Sequence, residues 1–144
     1  MSESMGIPKK YTMKLSGSVV EYGMDYRYNK KIKEKIFDGQ NGSVVPLCYN
    51  HIHQYGCLAG AAELKIDEKG ISADCYFYDT SYGISVENLI NAGLNFELGM
   101  YANNIEVMAH GDETVVTKGT IREISIIPVE KVRYPVKIEK GEQK

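Results

Sequence analysis

Apolar and polar residues alternate through most of the first eighty positions. Over residues 12–21, Met13, Leu15, Gly17 and Val19 fall on one side and Lys14, Ser16 and Ser18 on the other. Period-two alternation predicts a strand with one wet face. An aromatic, turn-prone stretch (22–29) and a short basic segment (30–37) follow, closed by the loop residues Asp38-Gly39-Gln40-Asn41-Gly42. Two more strands are predicted over 43–50 and 56–65, joined across the corner His51-Ile52-His53-Gln54-Tyr55. Asp67-Glu68-Lys69-Gly70 is hairpin chemistry. It leads into another alternating run, Ile71, Ala73, Cys75 and Phe77, so this half reads as a β-meander.

The period changes once. Over residues 81–92, Ile84, Val86, Leu89 and Ile90 gather mostly on one helical face, and Asn91-Ala92-Gly93 supplies a C-terminal stop. Strands are then predicted over 94–101, with an extension toward Val107, over 114–117 and over 119–129. A polar loop sits around His110-Gly111-Asp112-Glu113, and Pro128 stands at a strand end, where it need not donate to a ladder. Many short strands and one helix predict a mainly β fold, a β-barrel or highly curved sheet with a packed helix. The expected organisation is a flexible N-terminus (1–10), one domain (11–132) and a polar C-terminal tail (133–144) that is loose beyond Ile138.

Composition narrows the picture. A chain of 144 residues fits one domain, and 43% hydrophobic with 25% charged residues is ordinary for a globular protein. A net charge of −2 advertises neither a nucleic-acid nor a membrane surface. The N-terminus lacks signal-peptide patterning, and no apolar stretch is long enough to cross a bilayer. Cys48, Cys57 and Cys75 contain no CxxC pair and lie in or beside apolar runs, which suits reduced thiols rather than a zinc site.

Three segments carry candidate chemistry. Val44-Val45-Pro46-Leu47-Cys48-Tyr49-Asn50-His51 is an apolar run ending in a histidine. Asn95-Phe96-Glu97-Leu98-Gly99-Met100 sets a carboxylate among apolar neighbours. Thr120-Ile121-Arg122-Glu123-Ile124-Ser125-Ile126-Ile127-Pro128 carries another. In this order and spacing the segments resemble those of the tailed-bacteriophage prohead proteases. Those serine peptidases trim capsid and scaffold proteins during head maturation, and their fold is related to that of the herpesvirus assemblins. The family pattern is a histidine closing an apolar strand, a serine in a Leu-Ser-Ile-Gly-like strand, and an acid in a Glu-Val-Ser-Leu-like strand. The resemblance implies a barrel, a general base at His51 and an orienting acid at Glu123. At the nucleophile's position it meets Glu97.

Serine peptidases need a hydroxyl, a base that takes its proton, and a group that orients the base. A carboxylate cannot replace the hydroxyl, because attack on an amide would have to form a mixed anhydride and leaves His51 no proton to remove. No serine, threonine or cysteine lies between Gly93 and Val107 to take over. A carboxylate beside an imidazole favours the charged ring, so a static His51–Glu97 pair is the expectation. Blander readings stand beside these. His51 could be a corner histidine bonded to a carbonyl, Glu97 a solvent-facing strand residue, and Glu123 a partner of Arg122 or a lysine. Ser125 shares a strand face with Glu123 but matches a position that is not catalytic in the family.

His51 and His53, with Glu97 or Glu123, could also form a mixed nitrogen–oxygen metal site, although no motif supports one. The lysines of 30–35, interrupted by Glu34, read as a solvated face. Eleven tyrosines without a tryptophan suit either a contact surface or barrel packing. The expectation is therefore a phage or prophage head-morphogenesis protein that has lost peptidase activity, needs no cofactor or metal, and binds capsid or scaffold protein in the bacterial cytoplasm or procapsid. By analogy it could form a homodimer. Nucleic acid and membrane are not expected partners. An active prohead serine peptidase and, less well supported, a carboxylate- or metal-dependent hydrolase are the alternatives.

Overall fold

A computed structural model of the chain describes residues 6–22, 30–52, 58–134 and 136–140. The elements run β1 (Met13–Glu21), β2 (Lys30–Ile32), a 3-10 turn (Asp38–Gln40), β3 (Val44–Tyr49), β4 (Gly60–Ile66), β5 (Gly70–Phe77), α1 (Ser81–Asn91), β6 (Phe96–His110), β7 (Glu113–Pro128) and β8 (Lys137–Lys140). The expected mainly β class holds. All the strands belong to one sheet of order β2-β7-β3-β4-β5-β1-β8, with β6 added on β7.

β7 organises this sheet. β6 pairs with it antiparallel along one edge, while β2 and then β3 pair with it in parallel along the other. The meander expected from alternation is β3, β4 and β5, antiparallel from Val44↔Glu63 to Ile66↔Ile71. Its turn forms locally, because the Asp67 carboxylate accepts hydrogen bonds from the N–H groups of Lys69 (2.9 Å) and Gly70 (3.2 Å). Leu15, Leu47, Leu64, Phe77, Ile124 and Ile126 are all fully buried in one core. Each such side chain contributes about 1.5–3 kcal/mol by leaving water.

Three expectations need correction. The barrel does not close. β1 and β6 approach within 8 Å between Cα atoms, yet no ladder joins them among the described residues. Part of the β1 edge that could have closed on β6 is taken by β8, which pairs from Met13↔Lys140 to Ser16↔Lys137. The polar segment 133–144 thus supplies a strand of the sheet. The helix, secondly, buries Gly83, Val86 and Ile90, whereas Ile84 and Leu89 are exposed. Its first turn is set by Thr80, whose side chain accepts from Gly83 N–H. Thirdly, the fragments expected between 94 and 129 are one long hairpin, β6–β7, turning at Gly111 with φ +65°. Ile105, Val107 and Met108 are exposed on its outer half, which blurs the alternation that would have betrayed a continuous strand.

Candidate functional site

A β-bulge decides which side chains meet. Tyr101 pairs with Glu123 but Ala102 pairs with Ile121, so Arg122 is an extra residue in β7. The shift of phase keeps Ile121, Ile124 and Ile126 in the core and turns Glu123, Ser125 and Ile127 to the opposite face. On β6, Leu98 and Met100 face the core. Glu97, Gly99 and Tyr101 lie opposite Ile127, Ser125 and Glu123 on the other side. This second face is also covered: Glu97 is 4%, Glu123 2% and Ser125 0% exposed. Buried carboxylates need partners, and each has one.

Glu123 holds His51. β3 runs beside β7 as far as Tyr49↔Ile126, and the ladder continues with Asn50 N–H donating to Ile126 O at 2.8 Å. Asn50 (φ +52°) and His51 (φ +60°) are then both left-handed, which reverses the chain. Asparagine tolerates that conformation, whereas for histidine it costs about 1–2 kcal/mol. The turn is pinned from below by the buried Ser125 hydroxyl, which accepts from His51 N–H at 2.8 Å. The imidazole, about one-third exposed, places Nδ1 2.5 Å from Glu123 Oε1. Arg122, the bland partner for Glu123, instead donates from Nε to Asn103 Oδ1 at 2.8 Å.

Glu97 is held by Arg133. The Arg133 backbone N–H donates to Glu97 Oε2 at 2.5 Å, Nε lies 3.2 Å from the same oxygen, and Nη2 donates to Oε1 at 3.1 Å. A main-chain donor and a two-pronged guanidinium thus meet one carboxylate, the strongest arrangement arginine offers. The solvent-facing reading of Glu97 fails on its burial. The expected His51–Glu97 pairing is replaced by two separate attachments, His51 to Glu123 and Glu97 to Arg133.

Arg133 was not singled out from sequence. The available signal was a carboxylate flanked by Phe96 and Leu98, which has to find a cation somewhere, but nothing local says which of Arg27, Arg122 or Arg133 it finds. Other candidates fall elsewhere. His53 and Cys57 lie outside the described residues. No group of three His, Cys, Asp or Glu side chains among the described residues is placed to hold a metal. Lys31, from the basic run, pairs with Glu113 at 2.9 Å beside β7. Cys48 and Cys75 are buried, and burial pushes the Cys75 thiol far above its ordinary pKa.

In this mainly β sheet the turn after β3 thus sets a partly exposed histidine ring against a buried carboxylate of β7. A family model for the Caudovirus prohead serine protease matches residues 4–139, nearly the whole chain, and the chain belongs to that family. No curated protein and no solved structure matches the chain. Membership gives it the fold of a phage head-maturation protease and implies association with phage capsid proteins at the procapsid. No helix among the described residues is long and apolar enough to cross a membrane.

Proposed function

We propose that this chain is a prohead-protease fold without peptidase activity, which serves head morphogenesis by binding capsid or scaffold protein. One observation supports the reading: Glu97, which the resemblance aligns with the family's serine, is buried and paired with Arg133. An ionised carboxylate held in this way has no proton for His51 to take, and its attack on an amide would give only a mixed anhydride.

The His51–Glu123 pair favours a second reading, an active peptidase with a nucleophile outside the family position. With Nδ1 engaged by Glu123, Nε2 is the nitrogen a nucleophile would use, and that division of labour suits a general base. Ser125 is a poor candidate for that nucleophile, because its oxygen accepts the His51 main-chain N–H. The first reading is preferred because Glu97 has been given a structural partner of its own.

The binding function is tested with tailed-phage capsid and scaffold proteins, by co-elution and calorimetry. A complex formed by wild type, and formed equally well by His51→Ala, is expected. Absence of any complex at about 10 μM of each protein would sink the proposal.

A further inference from the structure

The chain leaves the sheet at the end of β7 and rejoins it at β8, touching on the way both β6 and β1, two strands that come close without pairing. This strap is attached at four points. Val129 N–H donates to Asn95 O at 3.0 Å. Arg133 grips Glu97 on β6. Val136 packs against the core in space left by Gly17 of β1, where an added Cβ would stand 2.7 Å from Val136 Cγ1. Lys137–Lys140 then pairs with β1.

The Arg133 attachment differs in kind from the others. It binds the strap's side chain and its main chain to a single buried acceptor, so it fixes the path of the backbone as well as neutralising a charge. A four-residue strand such as β8 is a weak anchor by itself. We infer that Glu97 and Arg133 form a clasp that fastens the strap across the β6–β1 seam, so that the residue at the nucleophile position holds the open side of the sheet shut. Releasing the clasp uncovers position 97 and frees the β1 edge together. The clasp stands on this geometry alone, whether or not the chain binds capsid protein.

Hydrogen exchange on the full chain tests it, read peptide by peptide in wild type, Glu97→Gln, Arg133→Lys and Arg133→Ala. Amides of 130–134 and 136–140 should exchange about tenfold faster or more in Arg133→Ala, while those of β4 and β5 keep wild-type protection. Glu97→Gln and Arg133→Lys should fall between, since the first keeps an oxygen for the guanidinium and the second keeps a positive charge, but each loses the charged fork. Glu97→Gln keeps size and shape, so it decides the matter if Arg133→Ala does not fold. Wild-type exchange of the strap in Glu97→Gln and Arg133→Ala would overturn the clasp. So would acceleration of β4 and β5 equal to that of the strap, because the pair would then support the whole sheet rather than fasten one segment.

Discussion

The two ends of the candidate site present the same residue type on the same sheet face, yet they have been put to different uses. Glu123 sits beneath a histidine whose ring reaches solvent, on a turn held in a costly left-handed conformation by a buried hydroxyl. Glu97, opposite Ile127 on the neighbouring strand, lies under a strap and is bonded to its main chain. The first holds a histidine ring; the second holds a strap. What separates them is their partners, because burial and strand position are nearly equal. One carboxylate of this face thus holds a partly exposed ring, while the other is built into the path of the chain.

Substitutions should separate the two ends in a definite order. Arg133→Ala takes the cation from Glu97 and should cost about 2–3 kcal/mol by urea denaturation, below the usual cost for a buried pair because the arginine is partly solvated and the loosened strap lets water reach the carboxylate. An effect under about 0.5 kcal/mol would make the Glu97 end an ordinary surface pair. Glu123→Gln removes the charge facing a ring about one-third exposed and should cost about 1–2 kcal/mol. In the same variant, nitrogen NMR should show the His51 ring losing its Nδ1–H preference; an unchanged tautomer would deny Glu123 its orienting role. Ser125→Ala should cost about 1 kcal/mol, with the loss concentrated in exchange of the His51 amide. Lys118→Ala breaks the exposed pair with Glu106 on the distal hairpin and should change stability by about 0–0.5 kcal/mol, a baseline for the site variants.

Local chemistry was the legible part. The turn at Asp67–Gly70 declares itself because its acceptor and donors lie within three residues, and β4 and β5 follow from it. Glu123 and Ser125 share a face because they are two apart on one strand, and the histidine-ending strand points to the same neighbourhood through the family pattern. What escaped was long-range. Arg133 reaches Glu97 from thirty-six residues away, out of a polar stretch with no periodicity. β2 is three residues, Lys30, Lys31 and Ile32, too short to show alternation, and it exists because β7 offers a parallel edge. Closure of the sheet turned on whether β6 or β8 would occupy part of β1, a competition between edges that no single segment encodes.

On the proposed reading, position 97 disables an otherwise recognisable site. The direct measurement is intact-mass spectrometry of a tailed-phage capsid protein after incubation with wild type, Glu97→Ser, and Glu97→Ser combined with His51→Ala. Cleavage by Glu97→Ser alone is the predicted result, since only that variant has both a hydroxyl and the His51–Glu123 pair. Cleavage by wild type would contradict the account and place the nucleophile somewhere other than position 97.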